Sequence, residues 1–256
     1  MIVPALIGET ETLTTILVTR FADRVVVRLN RPDVRNAINQ AMADELHGVC
    51  AELEVSPRIL ILIGGDGVFA SGADIGELRE RTAADALKGI NTQLFIRIAD
   101  LPMPVIAALD GYALGGGAEL AYAADFRIGT PRVKIGNPET GLGIIAGAGA
   151  LYRLRELVGE PLAKEILLAG RTLDAQEALA ARLITRLCEP EDLLATAHAL
   201  ADEIASKSVE ATISTKAVLA ATRSEHPRVD LEAQAVLFDS DDKRQRMTAF
   251  LERRRR

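Results

Sequence analysis

Residues 104–121, PVIAALDGYALGGGAELA, join an apolar run to an Asp-Gly turn, three consecutive glycines and a helix-forming stretch. An apolar run without polar alternation suits a strand covered on both faces, and such strands belong to parallel sheets linked by crossovers. Glycines between strand and helix let the backbone approach whatever lies above it. The free N–H groups of a helix N-terminus carry partial positive charge, so Gly115, Gly116 and Gly117 offer donors to a developing anion. Glu119 falls in the same first turn, where helical side chains lean toward the N-terminus. A first-turn glutamate in a tight packing turn, serving only the helix dipole, is the plainer alternative.

An earlier stretch echoes this one. RILILI (58–63) precedes GGDGVFASGADIGEL, so Asp66-Gly67 and Asp110-Gly111 each follow an apolar strand and precede a small-residue turn into a helix. Two copies of one supersecondary unit are indicated. If the units stack, backbone N–H groups near Ala73 and Gly116 converge on one oxygen, the arrangement of a main-chain oxyanion hole. A nucleotide-binding turn fits poorly. Leu120 stands where a third small residue belongs, no Lys-Ser/Thr pair makes a phosphate loop, and GLGIIA (141–146) lacks a preceding strand.

The remaining chain fits an α/β body. LTTILVTR (13–20) and RVVVRL (24–29) read as a hairpin, with residues 1–12 as a loosely held lead-in. Pro32 stops the second strand, and Met42, Leu46, Val49, Cys50 and Leu53 recur at helical spacing after Asn39. Arg31 and Arg35 flank the intervening loop, either solvated or anchoring a phosphorylated ligand. A single helix is expected over 83–99, then short strands FRIGT and RVKIG. Pro138 stiffens the loop that carries Glu139, whose plainer reading is an exposed turn glutamate. Helices are expected over 148–158, 161–169 and 174–183, with Thr172 or Asp174 as cap and a short strand at 184–188. From Asp192 the pattern is nearly all helical. The expected organisation is therefore a core over 1–190 and a helical oligomerisation region over 191–256, ending in a solvated tail at 253–256.

A net charge of −6 disfavours nucleic acid and anionic membrane as main partners. Cys50 and Cys188 form no close pair, and His47, His198 and His226 are isolated, so neither a metal site nor a disulfide framework is expected. No apolar run reaches bilayer length and no signal peptide is evident, which points to the cytoplasm.

With these turns and two glutamates in hand, the sequence resembles the enoyl-CoA hydratase/isomerase (crotonase) family. The matching pieces are LNRPDVRNAIN (29–39), FASGADIGEL (69–78), 104–130, IGNPETGLGIIAGAGALYRLRELVG (135–159) and FDSDDKRQRMTAFLERR (238–254). The resemblance implies a crotonase-like spiral of ββα units with a C-terminal helical region that builds trimers, often paired into hexamers. It implies an acyl-CoA thioester ligand with no separate cofactor, coenzyme A being part of the substrate, in fatty-acid β-oxidation. Ala73 and Gly116 would supply the oxyanion hole, and Asp74 and Ile75 would line the substrate. Arg35, with Ala37 beside it, would approach the CoA. Glutamates at both acidic positions, Glu119 and Glu139, mark hydratase-type members. By resemblance Glu139 supplies the proton at C2 and Glu119 helps activate the water. Enoyl-CoA isomerisation, other crotonase-family chemistry on acyl-CoA such as decarboxylation or hydrolysis, and non-catalytic acyl-CoA binding are the alternatives. Ala118 and Asn137 depart mildly from relatives without touching this chemistry, and Gly76 removes a side chain at the pocket edge.

Overall fold

The computed structural model describes residues 8–253. Strands β1 (Glu9–Thr12), β2 (Ile16–Arg20) and β3 (Arg24–Leu29) form an antiparallel meander. The lead-in expected over 1–12 is thus corrected for residues 9–12. Those residues form an exposed edge strand, held by a Thr10–Thr19 hydroxyl pair at 2.9 Å and an Arg20–Glu11 ion pair at 2.8 Å. Residues 1–7 lie outside the described residues. Helix α1 (Gln40–Val55) starts where the Asn39 side chain accepts from the Met42 N–H, and buries the five expected apolar residues.

Next come β4 (Ile59–Ile63), β5 (Val68–Ala70), α2 (Ile75–Glu80), α3 (Ala83–Lys88) and α4 (Ile90–Ala99). The single helix expected over 83–99 is two helices, because Gly89 takes a left-handed conformation at φ +60° and redirects the axis. Then follow β6 (Val105–Leu109), β7 (Tyr112–Leu114), α5 (Gly116–Ala123), β8 (Phe126–Gly129) and β9 (Lys134–Gly136). The first unit ends with α6 (Ala150–Val158), α7 (Glu160–Ala169), β10 (Thr172–Asp174), α8 (Ala175–Ala180), β11 (Arg186–Leu187) and most of α9 (Leu193–Ala205). Asp174, one of the two cap candidates, closes a capping box with Glu177 on α8.

Two sheets carry this unit. The larger runs β1-β2-β3-β4-β6-β8-β11, parallel from β3 onward, and the smaller runs β10-β9-β7-β5. Strands β4, β6 and β8 feed β5, β7 and β9, which pair parallel with one another in the same order. The repeat seen twice in the sequence therefore occurs three times. Its third copy lacks Asp-Gly, turning instead through Thr130-Pro131, and the Asp110 carboxylate accepts from the Thr130 hydroxyl at 2.6 Å. Both β4 and β6 are buried along their whole length, as their unbroken apolar sequences require.

Turns of successive units stack so closely that a methyl on Gly111 (φ +69°) would lie 1.5 Å from the Gly67 carbonyl oxygen. The second unit, from Asp202, holds α10 (Val209–Leu219), α11 (Arg228–Phe238) and α12 (Asp241–Arg253). It exposes Leu219, Leu231, Val236, Phe238 and Leu251. Among the described residues no helix is long and apolar enough to cross a membrane.

Gly111→Ala should destabilise the protein by more than about 2 kcal/mol, read as a lowered urea midpoint at unchanged slope. Gly67→Ala also carries a positive φ, +74°, but meets nothing within 4 Å. It should cost only about 1 kcal/mol.

Candidate active site

The loop that precedes α1 fastens the first small-residue turn. Ile38 N–H donates to the Gly72 carbonyl (2.8 Å), Asp74 N–H to the Ile38 carbonyl (2.9 Å) and Ser71 N–H to the Arg35 carbonyl (3.0 Å). The buried Asn36 amide donates to the Val68 and Phe69 carbonyls. In a parallel bridge of this kind the N–H of the bridged residue, here Ala73, points away from its partner. Neither that N–H nor the Gly116 N–H at the start of α5 donates within the described residues.

Helix α5 sits directly on β5. A methyl on Gly117 would lie 2.2 Å from the Ala70 carbonyl oxygen, so only glycine allows this approach. The contact draws the N-terminus of α5 to the Ser71–Ala73 turn: a methyl placed on Gly116 would lie 3.2 Å from the Ala73 nitrogen. The two N–H groups expected to converge are thus brought together, and both turns line a cavity of about 700 Å³.

Glu119 and Glu139 line the same cavity and are 4 % and 8 % exposed. Glu119 Oε1 accepts the N–H groups of Ala148 (2.7 Å) and Ala150 (3.1 Å) from the loop entering α6. Its pKa is pushed up to about 7, first by burial and further by the Glu139 charge, against the opposing pull of those two N–H groups. Glu139 starts a short 3₁₀ turn (Glu139–Leu142) directly after Pro138. Burial also raises its pKa, opposed by its own backbone N–H and by Asn137. Its Oε2 is buried without a partner. The exposed turn glutamate of the plainer reading is corrected, because the Glu139 side chain turns inward to the cavity while the turn around it stays exposed. Two buried carboxylates in one cavity share a proton readily, and in the free protein burial favours its residence on Glu119.

Asn137 corrects a second expectation. Its Nδ2 donates to Glu139 Oε1 (3.3 Å) and to the Gly115 carbonyl (3.4 Å), and its Oδ1 accepts the buried Tyr122 hydroxyl (3.1 Å). The residue set aside as remote from the chemistry orients one of the two glutamates. Gly76 N–H donates to the Asp74 carboxylate, and Gly76 borders a surface groove that shares Arg81, Asp85 and Ile90 with the cavity, so position 76 lies beside the cavity lining.

Ala73 and Ile75 line the cavity; Asp74, Arg35 and Ala37 do not. The Asp74 carboxylate caps α2 and pairs with Arg31 at 3.1 Å. Arg31 Nη1 also donates to the Ala37 carbonyl, which commits that guanidinium to the loop. The exposed Arg35 side chain enters no ion pair among the described residues, and its carbonyl holds Ser71 at the cavity edge. Asn91, on the opposite wall, was not singled out from the sequence, where an isolated Asn early in a helix carries no motif. Ile75, Leu142, Ile144 and Ile145 form an exposed apolar rim.

Residues 22–256 match the family model described as enoyl-CoA hydratase/isomerase. The chain is 34 % identical over 252 residues to a short-chain-enoyl-CoA hydratase of Clostridium acetobutylicum, covering 95 % of this chain and 97 % of that one. It is 36 % identical over 241 residues to a crotonyl-CoA hydratase of Syntrophomonas wolfei, covering 90 % and 92 %. The crystal structure of an enoyl-CoA hydratase from Bacillus anthracis superimposes with a TM-score of 0.89 at 30 % identity, covering 94 % and 97 %.

A carboxylate whose folded pKa is raised contributes stability that is fully present at low pH and is lost as pH rises through about 7. Glu119→Gln keeps an acceptor for Ala148 and Ala150 without the buried charge. It should therefore be more stable than the wild type at pH 8, by on the order of 3 kcal/mol at most, with the gain shrinking as pH falls and vanishing only below the ordinary carboxylate pKa of 4.5. Thermal melts across that range measure it.

Proposed function

Because this chain belongs to the enoyl-CoA hydratase/isomerase family, we propose that it is an enoyl-CoA hydratase that adds water reversibly, in the syn sense, to a trans-2-enoyl-CoA. The observation that carries this reading is the meeting, in one cavity, of two buried glutamates and two unpaired backbone N–H groups.

Addition of water at C3 builds negative charge on the thioester oxygen. The N–H groups of Ala73 and Gly116 meet that charge without reorganising, at the positive end of α5. A water held between Glu119 and Glu139 loses a proton to the ionised carboxylate as its oxygen bonds to C3, and the protonated carboxyl delivers a proton to C2. Glu119 Oε1 is tied by two backbone N–H donors, whereas Glu139 Oε1 accepts only the Asn137 amide, and the looser tether suits Glu139 to reach the carbon. The proton that rests on Glu119 reaches Glu139 through the same water. The apolar rim of Ile75, Leu142, Ile144 and Ile145 receives the acyl chain, and the exposed Arg35 approaches the CoA phosphates. Coenzyme A enters as part of the substrate, and the scheme needs no other cofactor.

The exposed apolar residues of the second unit support assembly into a homotrimer or a pair of trimers, read by light scattering on the eluted protein. Its place of work on this reading is the cytoplasm, in fatty-acid oxidation.

Purified protein should abolish the absorbance of the conjugated thioester of crotonyl-CoA. Glu119→Gln and Glu139→Gln should each slow this by ~10²- to 10⁴-fold. An N–H cannot be deleted by truncation, so the hole is tested with Gly116→Ala, whose methyl would crowd the Ala73 nitrogen; kcat should fall by about 10²-fold. Wild-type protein that leaves crotonyl-CoA untouched but moves the double bond of a 3-enoyl-CoA would instead be an isomerase.

A further inference from the structure

On the wall facing the Ala73 and Gly116 turns, α4 begins at Ile90, and its second residue is Asn91. The Asn91 side chain is half-buried, and its amide makes no hydrogen bond among the described residues. Its Oδ1 is sealed from solvent without a partner, while Nδ2 faces Gly116: a methyl placed on Gly116 would lie 3.3 Å from Nδ2 and 3.2 Å from the Ala73 nitrogen. That point is two bonds from Gly116's own nitrogen. Three N–H donors therefore gather about one small space, two from main chain and one from a side chain.

We propose that the Asn91 side-chain amide is a third donor at the oxyanion hole, touching the thioester oxygen of the bound substrate; this rests on the hydratase reading of the same site. An amide Nδ2 carries two N–H bonds, so it donates without giving up a proton to the reaction. It also stands at the start of α4, where the free N–H groups of the first turn place partial positive charge beside the developing oxyanion. The cost of leaving Oδ1 unpaired in the wall is the kind of local sacrifice a functional site retains. The reverse orientation of the amide would place an oxygen against the Ala73 and Gly116 N–H groups and plug the hole.

The test compares wild type with Asn91→Leu, which keeps size and removes the donor, and with Asn91→Asp, which keeps shape and replaces the donor with an acceptor. Hydration of crotonyl-CoA should lose ~10²-fold in kcat in Asn91→Leu with KM nearly unchanged, and more in Asn91→Asp. The second readout needs no turnover: the thioester carbonyl stretch of bound, isotopically labelled butyryl-CoA, measured by difference infrared spectroscopy. Wild type should lower this frequency relative to free ligand, and Asn91→Leu should return it part of the way. A band and a kcat that Asn91→Leu leaves in place overturn the role of Asn91 alone. A higher kcat in Asn91→Leu overturns it too, because the amide oxygen would then be the atom facing the hole. A wild-type band at the free-ligand position would remove the oxyanion hole itself, and both readings with it.

Discussion

Two buried carboxyl groups that line one cavity cannot both hold a full charge cheaply, and the architecture around them answers that constraint. Glu119 is buried because α5 is buried along its whole length, pressed on β5 through Gly117. Glu139 is buried because its side chain turns inward to the Asn137 amide while the turn it starts stays exposed. Two N–H groups from the entrance to α6 partly offset the charge on the first, and the Tyr122–Asn137 relay does so for the second. The same apolar surroundings that make the charges costly also strengthen every dipole aimed at a reacting oxygen.

The stacked units supply the other half of the site. Each strand pair lands on the one before it, so equivalent turns come to adjacent positions in space although they are far apart in sequence. The meeting of the Ala73 and Gly116 N–H groups follows from that repetition. It depends on backbone register, and the side chains at 73 and 116 matter mainly by being small.

Much of this was legible in the sequence because it rests on local signals. Unbroken apolar runs gave β4 and β6, turn residues gave the hairpin, and helical spacing gave α1 with its buried face. The small-residue turns and the two glutamates stood out for the same reason. What escaped was long-range or weakly marked. The third unit lacks the Asp-Gly signature, so its kinship shows only in strand pairing. The break at Gly89 hides inside an otherwise helical stretch, since a lone glycine is tolerated in many helices. β1 is a run of exposed polar residues that becomes a strand only because β2 offers it an edge. Asn137 was dismissed because its neighbours in sequence say nothing about Tyr122, fifteen residues away and directly beside it in the fold.

The pair of bonds from Ala148 and Ala150 to Glu119 does more than place a carboxylate. Ala148, with Gly147 and the isoleucines before it, is also the wall of the cavity, and the Thr92 hydroxyl latches that wall to α4 through the Gly147 carbonyl at 3.1 Å. Hydrogen bonds to an ionised acceptor are roughly twice as strong as those to a neutral one. The grip on the wall therefore tightens when Glu119 gives up its proton and slackens when it regains one. The buried carboxylate and the loop that walls the cavity are thus one mechanical unit, so a change that loosens the backbone at Ala148 or Ala150 also releases Glu119.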